Sequence, residues 1–99
     1  MLNIMKNVNG SDLKIILEGR LDTTTAPQLE SELNSALSGV TALKFDLEKL
    51  DYISSAGLRV LLSSQKTMNK QGTMVISGVS PEVKEIFDVT GFSDILTIE

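Results

Sequence analysis

The amino-acid sequence predicts an α/β domain in which a mixed sheet of four to five strands packs with about four helices. Three features point to this class. Short segments alternate apolar and polar residues with a period of two, longer segments repeat apolar residues at helical spacing, and turn or cap residues stand at each change of period.

The first strand is the weakly alternating Leu2-Asn3-Ile4-Met5-Lys6-Asn7-Val8, and Asn9-Gly10 after it is a turn signal within Asn9–Asp12. Leu13, Ile15 and Leu17 then alternate with Lys14, Ile16 and Glu18, which completes an antiparallel hairpin. Ile16, apolar on the outward phase, predicts cover on both faces of part of this strand.

A polar loop, Gly19 to Pro27, leads into the first helix. Thr25 and Gln28 have capping-box spacing, and Pro27 suits the first helical turn. Leu29, Leu33, Ala36 and Leu37 keep helical period up to Gly39. Asp22 and the three threonines Thr23, Thr24 and Thr25 are accounted for in the main by local turn and cap chemistry.

The third strand carries Leu43, Phe45 and Leu47 between Lys44, Asp46 and Glu48. The next helix has Leu58, Leu61, Leu62 and Met68 near one face, extends to about Lys70 and ends at Gln71-Gly72. Met74-Val75-Ile76 is a further strand. Ser80-Pro81 opens another helix, with Ser as cap and Pro at the first position, and Val83, Ile86 and Phe87 form its apolar face before Gly91. Phe92, Ile95, Leu96 and Ile98 close the chain as half a helix and a short last strand. The right-handed crossover rule makes the third and fourth strands parallel around the long helix. Phase within these patterns predicts that Leu17, Phe45, Leu47, Leu61, Ile76 and Phe87 are buried.

The stretch Asp51-Tyr52-Ile53-Ser54-Ser55-Ala56-Gly57-Leu58 stands where a strand hands over to a helix. A helix start leaves backbone N–H groups unpaired and carries partial positive charge, so either serine can cap it and a phosphate is tolerated there. Ala56 and Gly57 let another surface approach, and Gly57 in the first turn costs about 1 kcal/mol relative to Ala, a choice that needs a packing or functional reason. The Asp22 loop and the Ser54–Ser55 junction both follow strands and both start helices, so both open at strand C-terminal ends, where α/β sheets place their sites. If those strands are neighbours, the two form one surface.

Composition narrows the function. The 99 residues suit one domain over 1–99, and 41% hydrophobic with 22% charged residues is ordinary for a globular protein. The sequence has no cysteine and no histidine, which removes disulfides, thiolate metal sites, the usual general base and every histidine-dependent triad. A net charge of −4 argues against a nucleic-acid partner. No apolar run is long enough to cross a bilayer, and the N-terminus lacks a signal-peptide core, so a cytoplasmic location is expected. Ser55 as a hydrolase nucleophile has neither a Gly-x-Ser-x-Gly elbow nor an activating histidine, and no Gly-rich phosphate loop is present. A binding protein without catalytic residues, metal or cofactor is expected.

Residues 51–58 resemble the signature of STAS domains, the sulfate transporter and anti-sigma factor antagonist group. Gly19-Arg20-Leu21-Asp22 with Thr25-Ala26, Asp46-Leu47, and Ser80-Pro81-Glu82-Val83 through Phe87 and Val89-Thr90-Gly91 agree with it, so the resemblance spans essentially the whole chain. It implies a single STAS-like domain of the anti-sigma factor antagonist type. The unphosphorylated form of such a protein binds a serine-kinase anti-sigma factor and frees the sigma factor. The kinase, using ATP, phosphorylates the antagonist, and a PP2C-type phosphatase reverses it. The target serine of the signature falls on Ser55 and the acidic position of the first loop on Asp22, which the family places beside that serine. The implied partner surface comprises Asp22, Thr23, Thr24, Thr25, Ser54, Ser55, Ala56, Gly57, Leu58 and Arg59. Ser54 stands where many antagonists have Asp, and Ala56 where a second serine often follows. A monomer is expected. A second role is also compatible with the resemblance, that of a small accessory subunit binding the ATPase of a membrane transport complex without phosphorylation.

Overall fold

The computed structural model describes residues 2–99. The elements run β1 (Leu2–Asn9), β2 (Asp12–Leu21), α1 (Ala26–Ala36), β3 (Ala42–Ile53), α2 (Ser55–Gln71), β4 (Thr73–Ser77), α3 (Pro81–Thr90) and α4 (Phe92–Ile95). The strands form one mixed sheet in the order β1-β2-β3-β4, with β1 antiparallel to β2 and the β2–β3 and β3–β4 pairs parallel. The expected element order, parallel crossover and α/β class are all present. The fifth strand reduces to one parallel bridge, Ile76 to Ile98, held by Ile76 N–H donating to the Thr97 carbonyl and Glu99 N–H to the Ile76 carbonyl, both at 2.8 Å.

Leu13, Ile15 and Leu17 of β2, Leu43, Phe45 and Leu47 of β3, and Met74 and Ile76 of β4 point to one face and meet Leu29 and Leu33 of α1, Leu58, Leu61 and Met68 of α2, and Val83 and Phe87 of α3. The six residues expected in the core are all completely buried. The opposite sheet face stays open. Ile16 is only half-buried there, flanked by the Lys14–Asp46 and Lys49–Glu18 ion pairs, so its cover comes from neighbouring side chains and not from a second layer.

The hairpin loop is Gly10-Ser11, inside the expected Asn9–Asp12 turn, with Asn9 paired to Asp12 across it. Gly10 has φ +64° and among the described residues no non-glycine residue has positive φ, so only the first of the two loop positions has positive φ, the arrangement of a II′ turn.

The strand β3 is longer than its apolar alternation predicts. Its inward residues run Leu43, Phe45, Leu47 at a spacing of two, then Leu50 and Ile53 at a spacing of three. Two register shifts against β2, between Ile16 and Glu18 and between Gly19 and Arg20, absorb the extra residues of β3 as bulges. Their effect is to pair Leu21 with Ile53, so that the two parallel strands end level.

Candidate functional site

Because β2 and β3 are parallel neighbours that end together, the segments that follow them leave the sheet side by side. Ser54 N–H donates to the Leu21 carbonyl at 2.9 Å, which joins the junction directly to the residue before Asp22. Beyond this link a shallow groove of about 210 Å³ opens between α1 and α2, lined by Thr23, Ala26, Pro27 and Glu30 on one side and Ala56, Arg59 and Val60 on the other. The Asp22 loop and the start of α2 therefore form one surface.

The loop is organised by Asp22. Its Oδ1 accepts from Thr24 N–H at 3.0 Å, Thr24 Oγ1 at 2.7 Å and Thr25 N–H at 3.1 Å. The Thr24 hydroxyl foremost holds the carboxyl down to about 2; burial opposes it, and the Thr24 and Thr25 amides together with the Thr25 hydroxyl add to the lowering. Asp22 Oδ2 remains outward, 3.7 Å from Arg20 Nε, and the Arg20 guanidinium stacks over the Tyr52 ring with its centroid 4.5 Å away. The Arg20–Tyr52 pair ties the two strand ends across the face. Both residues stand in quoted family stretches, and their being cross-strand partners was not readable without the bulged register.

Thr25 departs from the expected capping box. Its backbone is helical, and its hydroxyl accepts from Asp22 N–H at 2.8 Å and donates to the Arg20 carbonyl at 2.8 Å, so it makes no cap to α1. Gln28 in turn reaches the Leu2 carbonyl at 3.5 Å instead of turning back to Thr25. Thr25 is buried, and its expected place on a partner surface is corrected to the internal one of fastening the loop. Thr23 and Thr24 are exposed.

The two serines of the junction divide the work. Ser54 is the N-cap of α2, extended and half-buried, and its Oγ accepts from Gly57 N–H at a long 3.5 Å. Ser55 is the first helical residue, exposed, and its hydroxyl has no protein partner among the described residues. Ile53 just before them is buried.

Gly57 and Leu58 face inward, which corrects the expectation that they present themselves to a partner. Leu58 is in the core. A Cβ on Gly57 would stand 2.7 Å from Leu21 Cγ, 2.9 Å from Leu21 Cδ2 and 2.9 Å from Ile53 Cγ1. The glycine is thus required by the fit of α2 onto the ends of β2 and β3. Ala56 is half-buried and Arg59 exposed, so of the small-residue pair only Ala56 reaches the groove.

The exposed and half-exposed set is Asp22, Thr23, Thr24, Ser54, Ser55, Ala56 and Arg59, joined by Pro27, marked in the sequence only as a helix-start residue, and by Glu30 of α1, which no motif singles out. Among the described residues no cluster of acidic side chains could hold a metal ion, and no helix is long and apolar enough to cross a membrane. What the surface offers chemically is a hydroxyl at a helix start and a guanidinium, both unpartnered among the described residues, beside a shallow groove between two helices.

The STAS domain family matches residues 3–99. BtrV of Bordetella bronchiseptica, assigned as an anti-sigma factor antagonist, is 40% identical over 84 residues, covering 83% of this chain and 72% of that protein. The anti-sigma-B factor antagonist of Bacillus subtilis is 29% identical over 98 residues, covering 98% of this chain and 90% of that one. The fold is also that of the Bacillus antagonist SpoIIAA. Its unphosphorylated form aligns with TM-score 0.77 at 20% identity over 98% of this chain and 87% of that one, and its phosphorylated form with 0.76 at 20% over 98% and 91%. The chain belongs to the STAS domain family and, within it, to the anti-sigma factor antagonists.

Proposed function

We propose that the unphosphorylated chain binds a serine-kinase anti-sigma factor in the cytoplasm, through the edge joining the Asp22–Thr24 loop to Ser54, Ser55, Ala56 and Arg59, and so releases a sigma factor. ATP-dependent phosphorylation of Ser55 ends the binding, and a PP2C-type phosphatase restores it. The observation that carries this reading is the exposed, unpartnered hydroxyl of Ser55 at the first position of α2, beside a loop that shares its surface. Ser54 is the poorer target because its hydroxyl is half-buried and spent on the cap.

A phosphate adds about −1.5 to −2 charges and three acceptor oxygens. At a helix start it meets a favourable field and need not disturb the fold. The near-equal fit of this chain to SpoIIAA with and without phosphate supports that expectation. Within a close interface the same group would collide and lose its water. A loss of about 3 kcal/mol there weakens binding more than a hundredfold, at about 1.4 kcal/mol per tenfold.

Incubation with the cognate kinase and ATP should add one phosphate, lost in Ser55→Ala and kept in Ser54→Ala. Mass spectrometry that places the phosphate on Ser54, or a Ser55→Asp protein that binds the kinase as well as the unmodified chain, would refute the switch.

A further inference from the structure

We infer that Arg59 is the internal counter-charge of the modified state: once Ser55 is phosphorylated, the Arg59 guanidinium turns from the groove to the phosphate on its own helix. This rests on the phosphoswitch proposed above and concerns what the chain itself does with the added group.

Ser55 and Arg59 are four residues apart at the exposed start of α2, so they are neighbours on one helix face with Cβ atoms about 5–6 Å apart. Helical side chains lean toward the N-terminus, which aims the long Arg59 stem over the turn that carries Ser55. An anion N-terminal to a cation at this spacing is the better of the two orders, because each also meets the helix dipole favourably. Arg59 is available for the role. It is exposed, and among the described residues it has neither an ion pair nor a side-chain hydrogen bond, whereas Arg20 at the same edge is already engaged by Asp22 and Tyr52.

None of the other charged groups around this edge holds Arg59. Glu30 of α1 lines the same groove as Arg59, yet the two form no ion pair. Asp22 spends Oδ1 on the loop and turns Oδ2 toward Arg20, and Asp51 is exposed near the end of β3. None of these competes as a phosphate does, since a phosphate brings about twice the charge and three acceptor oxygens that a guanidinium can engage through two parallel N–H donors. Phosphorylation then changes the surface twice over: it adds an anion, and it withdraws the one cation that, among the described residues, lines this groove. A partner that reads this edge through an acidic side chain loses its counter-charge in the same step.

The test uses the full chain with phosphoserine installed at position 55 by genetic encoding, so that it does not depend on any kinase. Phosphorus NMR follows the second ionisation of the phosphate, ordinarily near pH 6. A neighbouring cation favours the dianion, so the unsubstituted protein should titrate below its Arg59→Gln variant. The expected difference is at least about twofold in proton affinity, for one charge-assisted pair at this spacing. Arg59→Lys should retain part of the effect, and about 1 M salt should shrink it. Superimposable titrations of the unsubstituted protein and Arg59→Gln, with the phosphate located at Ser55 by mass spectrometry, would overturn the inference while leaving the kinase reaction at Ser55 untouched.

Discussion

Replacing Gly57 by Ala sets two opposed effects against each other at one residue. In an exposed helix Ala is favoured over Gly by about 1 kcal/mol, so propensity alone predicts a stabilised protein. Here the new methyl would stand 2.7 Å from Leu21 Cγ and 2.9 Å from both Leu21 Cδ2 and Ile53 Cγ1. Leu21 and Ile53 are themselves 0% and 1% exposed, so neither can swing aside into solvent. Overpacking of this kind costs about 1–3 kcal/mol, and three carbons at such separations place the cost in the upper part of that range. The net expectation is a loss of about 1–2 kcal/mol. At about 4–8 °C per kcal/mol for a domain of this size, the melting temperature should fall by about 4–16 °C, measured by circular dichroism with urea unfolding as a second readout. Leu21→Ala identifies the cause. Alone it should cost about 2–5 kcal/mol, but it removes two of the three clashing carbons, so the double variant should be more stable than the sum of the singles by about 1 kcal/mol or more. A Gly57→Ala protein that melts at or above the unsubstituted one, or strict additivity with Leu21→Ala, would refute the claim that packing of α2 on the strand ends selects this glycine.

Other expectations follow from the same surface. Ser54→Ala should cost about 0.5–1 kcal/mol in urea unfolding, at the low end for a cap because its hydrogen bond is long, whereas Ser55→Ala should lie within about 0.5 kcal/mol of the unsubstituted protein. Asp22, held near 2 against an ordinary 3.8, contributes stability that is fully present above about pH 4–5 and lost as pH falls through 3.8 toward 2. Unfolding curves of Asp22→Asn should therefore depend less steeply on pH between about 4 and 2 than those of the unsubstituted chain, while Asp88, lowered by Ser93 and Lys84, keeps part of that dependence in both. An equal slope in the two proteins would show that the threonine hydrogen bonds do not favour the ionised Asp22. Because Asp22 also shapes its loop, Asp22→Lys should alter the loop as well as the charge, and Asp22→Asn is the cleaner probe of kinase binding: an unchanged affinity in a calorimetric titration would place the charge of Asp22 outside the interface.

Much of the candidate site was readable from residue order. Ser54-Ser55 after Ile53 marks a strand-to-helix change of period, and Asp22 before three threonines marks a polar turn; each is a local signal that needs no distant residue. The roles of particular side chains were less accessible. Thr25 has the spacing of a cap, yet its hydroxyl is taken by Asp22 N–H and the Arg20 carbonyl. Gly57 carries the marks of a docking position, yet its neighbours are Leu21 and Ile53. A small or polar residue does not reveal by its type whether the surface it meets is a partner's or the protein's own.

The sequence by itself determined the order of strands and helices, the caps at Ser54 and Ser80 and the core residues it placed by phase, because periods of two and 3.6 and residues such as Ser80-Pro81 act within a few positions of the chain. Only the tertiary structure decided that Asp22 and Ser55 share an edge. That proximity depends on β2 lying beside β3 and on two bulges that make Leu21 and Ile53 end level. The bulges are set by the demand that Leu47, Leu50 and Ile53 all reach the core while β2 keeps its own inward row, a condition imposed by packing between segments some thirty residues apart.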